Sequence, residues 1–464
     1  MKTPLRFVIL FISFAFLSTS CKKTTTTTNE PPALTTNDVI LDVTSTTAQS
    51  GGTITSIGSS SITANGVCYS STNKIPTISD LKTTDPVISS SYSFTSNITG
   101  LNPSTTYYLR AYATNAYGTA YGSVVTFSTT ATSNTIAGAV TTFAGNATGG
   151  YADGVGAAAQ FSYPIGIASD AHGNIYVSDS FNNRIRKIAS DGTVTTVAGN
   201  GTAGLTPEGP AANAEFYGPQ GLAVDGQGNI FVADFGNNVI RKISTTGTVT
   251  TFAGNGIAGY VDGAATVAEF NGPAGLAFDK QGNLYVADNN NNMIRKITSA
   301  GVVSRVAGTK TPGYVNGTVN TTTGVYTSFR SPNGLVVDAS GNIFVADLGN
   351  SAIRQITSAG VVTTIAGGPG QTSLLGSPGA LAMDASGNFF ITDESGRVVE
   401  LNSAKVLYPL AGTTNVAGFA DGTGTAAKFN TPQGICVDAS GNIFVADFNN
   451  NRIRKVVVVD TSNP

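Results

Sequence analysis

Short apolar runs, alternating or continuous, fill most of the chain, and clusters of Gly, Asn and Asp separate them. Within residues 219–254 four such runs follow one another, at 221–225, 229–234, 239–244 and 248–253. Runs of this length that are rich in β-branched and aromatic residues predict strands rather than helices. The stretch therefore predicts a four-stranded antiparallel unit.

Copies of this unit recur at a spacing of about 46 to 59 residues, and a period near fifty is typical of propeller blades. The copies begin at Pro164, Pro219, Pro273, Pro332, Pro378 and Pro432. Between its first two strands each copy carries D-x-x-G-N, in which Asp can cap a turn and Gly can supply the positive φ of a tight hairpin. We therefore expect a hairpin at the start of every blade.

The signature of the fourth strand, T-x-x-A-G, indicates how the ring closes. It ends at Gly145, Gly199, Gly254, Gly308, Gly367 and Gly412, with looser forms at the fourth and sixth sites. The first occurrence precedes the first complete unit, and none follows the last unit. Residues 139–144 are therefore predicted to supply the missing fourth strand of the last blade, which would remove two open sheet edges. We predict six blades.

Residues 34–130 have a different pattern, a single block of short strands that ends in GLNPSTTYYLRAYATNAYGTAYG. The residues L-x-P-x-T-x-Y-x-x-R-A-x-A-x-N within it resemble fibronectin type III-like modules of secreted bacterial proteins. The resemblance implies a two-sheet sandwich, for which we expect a spacer role.

The first residues predict export. Lys2 and Arg6 precede an apolar run at 7–17, which is too short to span a bilayer, so 1–20 is predicted to be a signal peptide. The sequence Leu-Ser-Thr-Ser-Cys that ends at Cys21 resembles a bacterial lipobox, which implies lipidation of Cys21 and a membrane anchor. The alternative is an ordinary signal peptide with Cys21 incidental. The Thr-rich stretch 21–33 is predicted to be a tether.

The copies from 139 to 460 share the pattern P-x-G-h-x-x-D-x-x-G-N-h-h-V-x-D-x-x-N-N-x-I-R-K-I, in which h is a hydrophobic residue. This pattern resembles NHL repeats. The resemblance implies an all-β chain in which a six-bladed propeller follows the sandwich, joined by a linker at 131–138 and ending in a tail at 461–464. NHL-type proteins include scaffolds, binders of protein, RNA or ligand, and a few metal-dependent lyases. The fold does not fix the function.

Charge and cysteine content narrow the classes of partner. Charged residues make up 11% of the chain and the net charge is −2, so neither nucleic acid nor anionic lipid is an implied partner. We expect a monomer. Cys68 and Cys436 lie in apolar strands of different domains, which favours two buried free thiols over a disulfide.

Long blade connections should gather on one face of the propeller, where function is usually found. Four of them read G-[YF]-x-[DN]-G and contribute Tyr151 with Asp153, Tyr260 with Asp262, Tyr314 with Asn316, and Phe419 with Asp421. These groups could bind a sugar or a cation. Because they recur in several blades, they are explained more economically by what every blade needs for its own structure.

Other repeated residues invite the same structural interpretation. The Arg at 186, 241, 295, 354 and 454 is expected to join blades by pairing with the Asp of the D-x-x-N-N turn. In the fifth blade Glu400 stands where we expect this Arg, and the connection is the shortest. That blade is predicted to be the weakest one, or the one adapted to contact something such as the leading domain.

The residue after each repeat Pro varies, and three of the six are amides: Gln220, Asn333 and Gln433. At the mouth of the central channel these amides could hydrogen-bond a neutral ligand. The alternative is a water-filled channel lining.

Catalytic chemistry finds little support. The chain has one histidine, His172, which excludes a three-His zinc site, and Glu208-Gly209-Pro210 is out of register with the calcium-binding E-G-P of six-bladed lactonases. No catalytic residue, resident metal or cofactor is assigned, although calcium on Asp153, Asp262 and Asp421 stays open.

Our hypothesis is a non-enzymatic lipoprotein of the outer membrane or cell surface whose propeller binds a protein or a glycan. The alternative is a lactonase-like hydrolase or lyase that uses the channel with a divalent metal.

Overall fold

The computed structural model describes residues 29–86, 93–130, 136–206, 208–318, 327–370 and 375–461. The predicted signal peptide and Cys21 lie outside these ranges, as do most of the linker and of the tail. Within them the regular structure is β-strand with short 3-10 turns. We find no helical segment there with the length and apolar character needed to cross a bilayer.

The leading domain is a sandwich of two sheets, the first holding β1, β2, β3 and β6 and the second β4, β5, β7, β8 and β9. Its strands are β1 (Ala33–Thr36), β2 (Ile40–Leu41), β3 (Thr47–Ser56), β4 (Ala64–Ser70), β5 (Leu81–Lys82), β6 (Ser93–Thr99), β7 (Thr106–Asn115), β8 (Gly118–Tyr121) and β9 (Val125–Ser128). Alternate side chains of β7 point inward, so that Tyr107, Leu109 and Ala111 are buried in the core between the sheets.

The remaining strands begin with β10 (Ile136–Gly145) and form repeated sheets. The first three repeats contain β11 (Gly154–Val155), β12 (Pro164–Ser169), β13 (Ile175–Asp179), β14 (Arg184–Ile188) and β15 (Thr193–Ala198); β16 (Gly209–Pro210), β17 (Pro219–Val224), β18 (Ile230–Asp234), β19 (Val239–Ile243) and β20 (Thr248–Ala253); and β21 (Gly263–Ala264), β22 (Pro273–Phe278), β23 (Leu284–Asp288), β24 (Met293–Ile297) and β25 (Val302–Gly308). The next three contain β26 (Gly317–Thr318), β27 (Pro332–Val337), β28 (Ile343–Asp347), β29 (Ala352–Ile356) and β30 (Val361–Gly367); β31 (Pro378–Met383), β32 (Phe389–Asp393), β33 (Arg397–Leu401) and β34 (Val406–Gly412); and β35 (Gly422–Thr423), β36 (Pro432–Val437), β37 (Ile443–Asp447) and β38 (Arg452–Asp460). The 3-10 turns are Gly156–Ala158, Ser180–Asn182, Ala211–Asn213, Phe235–Asn237, Asn289–Asn291, Leu348–Asn350, Gly424–Ala426 and Phe448–Asn450.

Each repeat is one blade, and the hairpin predicted at its start is present. In the first blade Asp170 Oδ1 accepts the backbone N–H groups of His172 and Asn174, and Gly173 has a φ of 78°. The innermost strands, which line the axis, contact one another in cyclic order around a closed ring: β12, β17, β22, β27, β31 and β36. The described residues thus form a propeller with six such sheets.

The blades carry one strand more than the four that we predicted. A two-residue strand in the preceding connection pairs with the outermost strand, as Gly154 does with Val194 in the first blade. Among the described residues, no strand of the preceding connection pairs with the outermost strand of the fifth blade. This connection is the shortest one.

In the fifth blade, β2 of the leading domain lies at this edge of the outermost strand. Ile40 pairs with Val406 and Leu41 with Leu407, in parallel, so that β2 covers the outer edge of β34. Ile40 packs in the sandwich core and Leu41 in the core of the fourth and fifth blades. The fifth blade therefore contacts the leading domain, which was one of the two explanations offered for its divergence.

The closure predicted from the sequence is confirmed. Strand β10 pairs antiparallel with β38, with Ala139 opposite Val457 and Gly145 opposite Arg452. The pairing starts at Ile136, three residues earlier than expected. The first strand after the linker therefore completes the last blade.

Candidate functional site on the connection face of the propeller

A buried arginine organises the connection face of each regular blade. In the first blade Arg186 Nη1 donates to Asp179 Oδ2 at 2.7 Å, and Nη2 donates to Asp153 Oδ1 at 2.6 Å. The guanidinium also donates to the carbonyl oxygens of Gln160 and Ala152. Burial raises the pKa of Asp179, while hydrogen bonds and Arg186 act in the opposite direction. The arginine thus ties the connection to the blade.

The same arrangement recurs with Arg295 between Asp288 and Asp262, Arg454 between Asp447 and Asp421, and Arg354 between Asp347 and Asn316. Because Arg186 and Asp179 lie on adjacent strands of one sheet, the expectation that this pair joins neighbouring blades is wrong. The second Asn of the turn joins them instead. Asn183, held at a φ of 50°, accepts the backbone N–H of Gly218 at the entrance to the next blade.

The aromatic residues of the connections lie over or beside basic side chains of the blades. Tyr151 lies 3.9 Å from the Arg184 guanidinium and its hydroxyl contacts Thr196, and Phe419 lies 3.9 Å from Arg452. Tyr314 lies over Arg354 and Tyr260 beside Lys310. These contacts account for the repetition of all eight connection residues, Tyr151, Asp153, Tyr260, Asp262, Tyr314, Asn316, Phe419 and Asp421. Their binding of a ligand stays a prediction.

In the fifth blade, the assignment of Glu400 to the position of the repeated arginine is wrong. The second turn of this blade is one residue shorter, so Val399 lies opposite Ile391, where Arg454 lies opposite Val445 in the last blade. Val399 therefore takes the position of the buried arginine, and Glu400 takes that of Lys455. Arg397 restores the ion pair from a different position, with Nη2 3.0 Å from Asp393 Oδ2.

The predicted channel residues do come together. Gln220, Asn333 and Gln433 line a cavity of about 50 Å³ on the axis, together with Gly and Ala of the inner strands and Ile165. Gln433 Nε2 donates to Glu394 Oε1 at 3.0 Å. Burial raises the pKa of Glu394, and the hydrogen bond from Gln433 opposes this. Glu394 thus contacts a lining residue of the channel without lining the cavity itself, and sequence reasoning missed it. The position after the turn Asp varies among blades and could have pointed to it.

An aromatic cluster lies beside this mouth. The ring of Tyr163 is 4.5 Å from that of Phe181 and 4.9 Å from that of Phe448. Phe181 is 65% exposed. Tyr163 immediately precedes Pro164 and has a φ of 52°, and the equivalent residues of four other blades, Gly218, Gly272, Ser331 and Thr431, have φ values between 50° and 57°. The conformation therefore belongs to the blade architecture, and Tyr163 is the bulkiest residue that adopts it. We call Tyr163, Phe181 and Phe448 the aromatic cluster.

On the connection face, few of the described side chains could bind a metal ion or act as a general base. The described residues contain no set of three or more His, Cys, Asp or Glu placed to hold a metal ion. Asp153, Asp262 and Asp421 each have a guanidinium nitrogen at 2.6 Å, which competes with calcium for the carboxylate. His172 is exposed on the hairpin of the first blade.

Known proteins share parts of this chain. It is 40% identical over 92 residues to Protein SUPPRESSOR OF QUENCHING 1, chloroplastic, of Arabidopsis thaliana, a match that covers 20% of this chain and 9% of that protein. It is 26% identical over 348 residues to NHL repeat-containing protein 2 of Bos taurus, covering 67% of this chain and 41% of the relative. The chain thus spans less than half the length of these curated relatives.

A solved structure described as an auxiliary nutrient binding protein from Bacteroides thetaiotaomicron VPI-5482 is similar over 93% of this chain and 98% of its own, with a TM-score of 0.52 and 14% identity. At that identity the likeness shows the fold alone, and it extends over both domains. The NHL repeat family model matches residues 161–188, 216–243, 270–297, 329–356 and 429–456, which lie in every blade except the fifth. The second domain of this chain is therefore an NHL-repeat β-propeller.

Proposed function

We propose that the chain is a binding protein of the cell envelope, anchored through lipidated Cys21, whose connection face holds a glycan or protein ligand. The observation that carries the proposal is the aromatic cluster, in which the ring of Tyr163 contacts those of Phe181 and Phe448 and Phe181 is 65% exposed. Aromatic rings provide a large, rigid contact area, and the amides of Gln220, Asn333 and Gln433 offer donors and acceptors next to it.

The similar solved structure supports the same class of function, because it is described as a nutrient binding protein. On this proposal the six-bladed propeller presents the ligand site, and the fibronectin type III-like sandwich holds it away from the membrane. The predicted export signal and tether agree with that arrangement.

The test is a glycan array and a pull-down with the purified chain and with Tyr163→Gly. Glycine accepts the φ of 52°, so this variant should be at least as stable as the parent while its binding weakens by at least about tenfold. Thr431→Gly is the matched control, because Thr431 has a φ of 54° at the equivalent position and carries no ring. Binding that survives in Tyr163→Gly contradicts the proposed site.

The alternative, a lactonase-like hydrolase or lyase, depends on the carboxylate of Glu394, which accepts a hydrogen bond from the channel residue Gln433. Turnover of a lactone or ester that is lost in Glu394→Gln, with no ligand captured by the parent, would replace the binding proposal.

A further inference from the structure

A second cavity lies between the domains, about 590 Å³ in volume, where the first sheet of the sandwich meets the fourth blade. Asn37, Thr53 and Ser93 line it from the sandwich, and Tyr314, Asn316 and Thr364 line it from the blade. This volume is within the range of about 300–1,000 Å³ that is usual for small-ligand sites, which often lie at domain interfaces. We call it the interdomain cleft.

The walls of the cleft are held in place before any ligand arrives. Asn37, Asp38 and Val39 line it and lead directly into β2, whose pairing with β34 joins the domains. On the blade side, Tyr314 contacts Thr364 through its hydroxyl at 2.8 Å, and Arg354 donates to Asn316 Oδ1 at 2.8 Å. A preformed site avoids the cost of ordering its side chains on binding.

Among the described residues, the lining combines hydroxyl and amide side chains with one phenol ring, one carboxylate, Asp38, and no basic side chain. Val39, Ile365, Ala366 and Pro369 add an apolar part. Three other connections carry an Asp at the position of Asn316, which has an amide instead. This connection reaches the cleft, as does the following one through Gly368 and Pro369. Hydroxyls and amides both donate and accept hydrogen bonds, whereas Asp38 would repel an anion. The chemistry thus matches a neutral polyhydroxylated molecule with an apolar ring face for Tyr314.

From this geometry we propose that the interdomain cleft binds a neutral oligosaccharide, at a site separate from the channel mouth and the aromatic cluster of the proposed function. Tyr314 stacks on a sugar ring, and Thr53, Ser93, Thr364 and Asn316 bond its hydroxyls.

The test is isothermal titration calorimetry of the purified chain with a panel of neutral gluco-, manno-, galacto- and xylo-oligosaccharides. Ser93→Trp fills the cleft from an exposed position on β6, and Tyr314→Ala removes its ring. Each should weaken binding by at least about tenfold. Tyr117→Ala is the control, since Tyr117 is a comparably exposed tyrosine of the sandwich that does not line the cleft. It should change the affinity by less than about twofold.

Three outcomes would overturn the proposal: no member of the panel binds at millimolar concentration, Ser93→Trp leaves the affinity unchanged, or Tyr117→Ala weakens binding as much as Tyr314→Ala. A ligand lost in Tyr163→Gly and retained in Ser93→Trp belongs to the aromatic cluster, so the two sites fail independently.

Discussion

Ile40 of the sandwich lies beside Val406 of the fifth blade in a parallel pairing that continues one residue further, to Leu41 and Leu407. In the other blades the connection itself supplies a two-residue strand at this edge. An uncovered outer strand is open to pairing with other chains, so the leading domain protects the fifth blade as well as being held by it.

Leu41→Ala should weaken this contact. Leu41 is 1% exposed in the core of the fourth and fifth blades, where truncation to Ala costs about 2–5 kcal/mol. Amide hydrogen exchange of β34 should become faster. Leu101→Ala, which truncates the same side chain in the sandwich core, is the control and should leave β34 protected. Equal protection of β34 in both variants would show that the contact does not hold this edge.

The ion pair of the second blade should contribute less to the free energy of unfolding than that of the first blade. Arg241 Nη1 is 3.9 Å from Asp234 Oδ2, against 2.7 Å for Arg186 and Asp179, and burial raises the pKa of Asp234 to about 7. Removing one partner of a tight buried pair costs about 3–5 kcal/mol, so Asp179→Asn should lose that much at pH 8. Asp234→Asn should lose clearly less. Urea unfolding of both variants measures this, and equal losses would contradict it.

The sequence predicted the repeat, its hairpins and the closing strand because each depends on local chemistry that recurs in every blade. Asp170 and Gly173 determine a turn whatever surrounds them, and the absence of a fourth-strand signature after the last blade implies that 139–144 supplies it. Connection residues such as Tyr151 were predictable in place, and the structure shows that they make contacts within their blades.

The features that could not be predicted from the sequence depend on strand register or on contacts between distant segments. Glu400 was placed in the position of the arginine because a deletion of one residue in the preceding turn is invisible without the pairing of Val399 and Ile391. The aromatic cluster combines residues from two blades far apart in the chain, and the interdomain cleft exists only once β2 has paired with β34. No periodicity encodes these relationships.

The closing strand should matter more than an equivalent strand within the ring. Val140→Pro places a residue without an N–H in β10, where Val140 is 2% exposed and opposite Val456. We expect faster hydrogen exchange throughout β38 and aggregation on warming, because the edge of the last blade is exposed. Val249→Pro is the matched control, since Val249 holds the same position in β20 of the second blade. A β38 equally protected in both variants would contradict the closure.

Glu400 should make stability depend on pH. Its side chain is 6% exposed, and burial, with a smaller contribution from Asp384, raises its pKa from 4.5 to about 7. Between these two values the native chain holds a proton that the unfolded chain has released, so stability falls as the pH rises from 4.5 to 7. Below that window both states are protonated and the effect vanishes. Glu400→Gln should therefore raise the free energy of unfolding by about 3 kcal/mol at pH 8 and leave it nearly unchanged at pH 4. Denaturant unfolding at both pH values measures the difference, and the same gain at pH 4 as at pH 8 would show that the charge of Glu400 is not the cause.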